Sequence, residues 1–279
     1  YFFISISICF FLLFVDSIYQ LLFNKNIFGY SNVDLRITSF FMDENILGSY
    51  LSRTLPLFIA LYFILFKSMN KYLELILMTI ILLTIFIVFI SGERTAFFIN
   101  IVSLFLIMIL TKNKFNYKFI FFALILISIF IVNYLKPQVK HRMITTTIDQ
   151  LQLYKSEGNI LNSIPKIFTV QHEVIFKTAY KIYLDNKIFG IGPKNFREEC
   201  IHYRTFTTED MSVNGCSTSP HNIYLQLLSE VGLVGFSIVA ITWLISLYFL
   251  IKVFFYKFLK NTEIMHSYQI CIIVLVFIN

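Results

Sequence analysis

The stretch LELILMTIILLTIFIVFI at residues 73–90, followed by SGER at 91–94 and TAFFINIVSLFLIMIL at 95–110, decides the fold class. Each apolar run is close to the length of about 20 residues with which a helix crosses a bilayer. The four residues between them allow only a tight helical hairpin. Working outward, further apolar runs cover roughly 1–23, 51–69, 118–135 and 231–256, and another begins near 268. Hydrophobic residues make up 57% of the 279, charged residues 14%, and 33 are Phe, which excludes an ordinary soluble globule. Mean hydropathy is +0.75.

The expected fold is therefore all-α, a polytopic transmembrane helical bundle with a large periplasmic loop containing short helices. Residues 1–135 form the N-terminal transmembrane helices, 136–221 the loop and 222–279 the C-terminal transmembrane helices. The chain opens at Tyr1 and closes at Asn279 inside apolar runs, so further spans are expected beyond both ends. The net charge of +7 is spread over loops without a dense basic run, which excludes nucleic acid as a partner.

Lysine placement orients the spans. Lys67, Lys71, Lys112, Lys114, Lys118, Lys252, Lys257 and Lys260 fall on one side of the alternating runs, accompanied by only Glu74 and Glu263. That side is cytoplasmic by the positive-inside rule. Residues 24–50, the Glu93-Arg94 turn and the segment 136–221 then face outward, to the periplasm of a Gram-negative cell.

The outward face carries the candidate chemistry. Residues 24–50 include Asp34, Arg36, Asp43, Glu44 and Asn45 and read as either a surface-lying or re-entrant segment or a solvated loop. Arg94 lies between two long spans, where an arginine costs about 2.5–3.5 kcal/mol at mid-bilayer. It is either paired with Glu93 or available to fork onto phosphate oxygens. Residues 171–184 read as an amphipathic helix that ends at Asp185-Asn186, and Gly190-Ile191-Gly192-Pro193 as a turn. Lys194, Arg197, His202 and Arg204 follow as a basic approach. Cys200 and Cys216 share the outward segment, and an oxidising compartment would allow a disulfide between them. Cys9 and Cys271 lie in spans as packing groups.

A helix is expected to begin at Ser219 as cap, with Pro220 in the first helical position and His221 in the first turn. There the helix dipole favours a neutral imidazole able to accept a proton. Asn222, Gln226 and Glu230 form one polar stripe, expected to face a cavity rather than lipid.

Four segments carry a resemblance. His221-Asn222, nine residues, then Gly232-Leu233-Val234-Gly235 resembles the H-N-x9-G-x-x-G signature of the O-antigen ligase and O-antigen polymerase superfamily of membrane glycosyltransferases. Arg36 with Asn45-Ile46-Leu47-Gly48-Ser49-Tyr50-Leu51 resembles its early outward loop. Ser91-Gly92-Glu93-Arg94-Thr95 resembles its S-G-x-R-T turn, and Gly190 to Phe196 its G-x-G-P-x-N-F stretch.

The resemblance implies transfer of a glycan from undecaprenyl diphosphate to an acceptor hydroxyl, on lipid A core or a growing polysaccharide, at the periplasmic face of the inner membrane. It implies no cofactor and no metal; the partners are the lipid-linked glycan, the acceptor glycolipid or glycan and membrane lipids. His221 becomes the general base and Arg94 a clamp on the leaving diphosphate, with Asn222, Gly232 and Gly235 supporting. The family often has an arginine just before the loop helix, where this chain has Gln171-His172. Arg204, Arg197 and Arg36, in that order, are candidates for the second diphosphate-binding cation. The alternative is a polysaccharide exporter or lipid-linked glycan flippase in which His221 has no chemical role.

Overall fold

The computed structural model describes residues 1–31, 36–42, 44–66, 71–111, 130, 139, 141–145, 170–203, 215–260, 262 and 264–278. Among the described residues the architecture is all-helical and contains no strand. The α-helices are α1 (Phe2–Phe23), α2 (Leu47–Leu65), α3 (Lys71–Ile90), α4 (Arg94–Leu110), α5 (Val170–Asp185), α6 (Phe196–Glu199), α7 (Ile223–Leu259) and α8 (Ser267–Ile278). Helices α1, α2 and α7 are long and apolar enough to cross a membrane, and Glu74–Ile90 of α3, α4 and α8 are shorter apolar helices. The run expected over 118–135 lies, apart from residue 130, outside the described residues. Two compact units are present, one of Tyr1–Thr145 with Ser246–Asn279 and one of Thr146–Ile245.

In the first unit α2 packs against α1, α3, α4 and α8. Its buried stripe of Leu47, Leu51, Leu55, Phe58, Ile59 and Tyr62 recurs at helical spacing, which is why it occupies the centre. Phe58 stacks on Phe3 and Phe10 of α1, with ring centroids 5.2 and 5.3 Å apart. The other face of α1, with Ile4, Ile8 and Phe11, is exposed apolar surface of the kind that lipid covers. Lys257 Nζ donates to the Thr111 carbonyl at 2.7 Å, satisfying the C-terminal end of α4 with a cation where the helix dipole favours one.

Buried polar side chains of α1 pin the segment that follows it. Asp16 is fully buried, and its Oδ1 accepts the Ile27 amide at 2.8 Å while its Oδ2 accepts the Ser39 hydroxyl at 2.6 Å. Gln20 Oε1 accepts the Thr38 and Ser39 amides at 3.1 and 2.7 Å. Ile37, Thr38 and Ser39 are buried in consequence, so this part of 24–50 is packed rather than solvated, whereas residues 24, 25 and 27–31 are exposed.

Helix α2 begins at Leu47, four residues before the apolar run suggests, because its cap comes from elsewhere in the chain. The local N-cap residue Ile46 makes no side-chain capping bond. Instead Glu93, between α3 and α4, accepts the Gly48 amide at 2.6 Å and the Ser49 amide at 2.9 Å. These are the second and third amides of the helix, the pair that a capping side chain normally serves. Glycine at 48 permits the approach, since a Cβ there would stand 2.6 Å from Ser91 Oγ and 3.0 Å from Glu93 Oε1.

Burial raises the pKa of the Glu93 carboxyl, partly offset by the amide bonds from Gly48 and Ser49 and by the nearby Arg36 guanidinium. Glu93 thus caps α2 and lies in the field of Arg36. Glu93→Ala should destabilise the purified protein by about 1–2 kcal/mol, the usual worth of a cap, whereas Glu93→Gln, which keeps a carbonyl acceptor, should lose less than half of that. Denaturation in mixed micelles measures both; equal losses would contradict the capping role.

Candidate active site

In the second unit the backbone is spliced. Helix α7 is interrupted at Gly232, whose φ of 64° and ψ of −165° lie outside helical space. In an unbroken helix the carbonyls of Ser229 and Glu230 would accept the amides of Leu233 and Val234. Here those carbonyls accept the amides of Ile191 and Gly192, at 3.0 and 2.8 Å. The displaced amides of Leu233 and Val234 donate to the carbonyls of Lys187 and Ile188, at 2.8 and 3.2 Å. The loop therefore returns two donors and two acceptors for the bonds the break removes, and the interruption leaves these four buried-prone groups satisfied.

Glycine is required on both sides of this joint. Gly190 and Gly232 have φ of 66° and 64°, and Gly192 has φ of 99°. A Cβ on Gly190 would fall on the Glu230 carbonyl, and one on Gly232 would fall on the Ile188 carbonyl. Gly190-Ile191-Gly192-Pro193 and Gly232, separate motifs in the sequence, are two halves of one contact. Gly235 has a different neighbour: a Cβ there would stand 2.5 Å from Cγ2 of Val231.

The start of α7 corrects the sequence reading. Asn222, not Ser219, is the cap: its Oδ1 accepts the Tyr224 amide at 3.0 Å and the Leu225 amide at 3.2 Å. Asparagine presents a carbonyl that reaches both orphan amides, so the helix begins at Ile223 and Pro220 stays outside it. His221 is consequently not in the first turn but one residue before the cap, with φ of 53°. This left-handed conformation is uncommon for a residue with a side chain.

The His221 ring is exposed, and its Nε2 lies 2.9 Å from Ser217 Oγ. The His172 ring, in the first turn of α5, packs against it with centroids 5.9 Å apart and an interplanar angle of 70°. Of the expected polar stripe, Asn222 is spent on the cap, Gln226 Nε2 donates to Glu230 Oε2 at 3.2 Å, and Glu230 is buried.

A small core holds this arrangement. Ile175, Ala179 and Ile182 of α5 pack with Phe196 of α6 and Cys200, joined by Cys216 and Leu225. Cys200 and Cys216 form a disulfide, with Cα atoms 5.3 Å apart. The residue after Cys216 is Ser217, so the segment leading to His221 is tied covalently to the end of α6. Arg197 is exposed on α6.

The predicted site residues therefore fall into two sets. His221, Asn222, Gly232, Gly235, Arg197 and the two cysteines belong to the second unit. Arg36 and Arg94 belong to the first, where Arg94 opens α4 and both guanidinium-bearing side chains are half-buried. Arg204 lies outside the described residues. Ser217 and His172 were not selected by sequence reasoning as site residues; the four-residue interval from Ser217 to His221 was the available signal for the first, and none existed for contact with the second.

Gly232→Ala should cost at least about 1–3 kcal/mol, the penalty of forcing a side chain into left-handed space, because its Cβ also collides with the Ile188 carbonyl. A wild-type melting temperature would contradict the splice. Cys200→Ser should abolish the mobility difference between reduced and oxidised protein on a denaturing gel; a persisting difference would mean that the cysteines pair otherwise.

The model of the O-antigen ligase family matches residues 79–240, more than half of the chain, and spans the α3–α4 turn, the spliced loop and the His221 helix start. No curated protein and no solved structure gives a significant match. With the apolar helices, that match makes this a membrane protein that belongs to the O-antigen ligase family.

Proposed function

We propose that the chain is a bacterial inner-membrane glycosyltransferase that moves a glycan from undecaprenyl diphosphate to an acceptor hydroxyl at the periplasmic face. The acceptor is lipid A core or the end of a growing polysaccharide. One observation carries the reading: an exposed imidazole, His221, hydrogen-bonded to Ser217 beside a capped helix start in a chain of the O-antigen ligase family. In this reading residues 136–221 form the periplasmic loop between the membrane helices of 1–135 and 222–279.

A neutral imidazole removes the acceptor proton as the oxygen attacks the anomeric carbon, a contribution of about 10²- to 10⁴-fold in rate. The bond to the diphosphate breaks with its electron pair on the leaving oxygen. Guanidinium groups fork onto such oxygens, and Arg94 is assigned that task. Arg204, Arg197 and Arg36, in that order, remain the candidates for the second cation, and Arg36 also lies in the field of Glu93. A leaving group that already carries its charge needs neither metal nor cofactor. Attack opposite the diphosphate inverts the anomeric configuration.

His221→Ala should lower glycan transfer by about 10²- to 10⁴-fold while protein level and the disulfide stay unchanged. Transfer at the wild-type rate would favour the exporter reading. Arg94→Lys should lose about tenfold or more through loss of forked contact, and near-normal activity would count against a clamp. In a deletion strain, full-length lipid-linked polymer that never reaches the core identifies a ligase, and single repeat units on the core identify a polymerase.

A further inference from the structure

We infer that Ser217 is a positioning residue that fixes the tautomer of His221: its hydroxyl oxygen accepts the Nε2–H, leaving Nδ1 as the nitrogen that takes the proton. The inference deepens the general-base reading and rests on it for the direction of the hydrogen bond, while the contact itself is given by geometry.

Ser217 Oγ and His221 Nε2 are 2.9 Å apart, so one of them donates. A neutral imidazole has one N–H and one lone pair. If the serine donated, the lone pair of Nε2 would be occupied and Nδ1 would carry the hydrogen, leaving no basic nitrogen open. With the serine as acceptor, Nδ1 keeps its lone pair. When the acceptor hydroxyl gives its proton to Nδ1, the new oxygen–carbon bond forms, the carbon–diphosphate bond breaks onto the leaving oxygen, and the ring becomes an imidazolium. The Nε2–H bond to Ser217 is then charge-assisted and stronger than in the neutral ring. Stabilisation that grows along the reaction is the kind that accelerates it.

Three features keep the pair together. Cys216, immediately before Ser217, is held by its disulfide to Cys200, which is buried in the small core. Pro220, immediately before His221, is buried. The left-handed backbone of His221, at φ 53°, turns the ring out of the helix path and toward Ser217. Against the ring stands His172 of α5, at 70°, which limits ring rotation. Among the described residues His172 is also the titratable group that faces His221 from a neighbouring element.

The test is nitrogen NMR of full-length protein carrying labelled histidine, titrated in lipid nanodiscs, with His221 assigned by its loss in His221→Gln. No donor glycan is needed. Wild type and Ser217→Thr should show the neutral ring protonated at Nε2. Ser217→Ala should show both tautomers, since the bond that selects one of them is gone. A wild-type ring protonated at Nδ1, or a Ser217→Ala variant with an unchanged tautomer, would overturn the inference. Should Ser217→Ala fail to fold, the wild-type tautomer alone decides. If the tautomer is as stated but His221→Gln transfers glycan at the wild-type rate, the general-base reading fails instead.

Discussion

The second unit depends on a backbone exchange at Gly232. A helix cannot drop two of its bonds in a low-dielectric setting without cost, since each unpaired buried amide or carbonyl costs several kcal/mol in hydrocarbon. The loop at 187–192 supplies four groups in the right order to cancel that cost. The joint in turn fixes the distance along the chain from α5, through α6 and the disulfide, to the capped start of α7. His221 sits at the end of that closed path. Its strained backbone is tolerable because both sides are anchored, by Asn222 to the helix and by Cys216 to the small core.

The first unit solves the same problem with side chains. Asp16, Gln20 and Glu93 are polar groups within or between apolar helices, and each accepts backbone amides that would otherwise be unpaired. None needs a charged partner to be explained. That matters for assigning function, because an acid inside a span reads first as a proton or ion site. In this chain Asp16 is an anchor for the loop that carries Arg36, and Glu93 is a cap that also lies in the field of Arg36.

Features that depend on local physics were legible in the sequence. The apolar runs other than 118–135 marked helices among the described residues, the amphipathic pattern marked α5 within a residue, and the SGER turn marked the α3–α4 hairpin. Features that depend on remote partners were not. The early start of α2 is set by Glu93, 45 residues away from Gly48. Gly232 reads only as a supporting glycine of the G-x-x-G signature, and the position of Ile188 reveals it as a break. Ser219-Pro220 imitates a helix start, and Asn222 outcompetes it because one carbonyl serves two amides. The motifs of the O-antigen ligase family marked His221 and Arg94 and pointed to Gln171-His172 only as the place of a missing arginine, but they carried no information about Ser217 or about the contact between His172 and His221.

Hydrogen exchange on the full-length protein in lipid tests the joint most directly, read on peptides covering 187–192 and 229–234. The splice predicts that the amides of Ile191 and Gly192 are protected like those of Leu233 and Val234, and that all four open together as denaturant is added. Rapid exchange of 187–192 with continued protection of 229–234 would mean a continuous helix beside a free loop, and would contradict the placement of His221 described above.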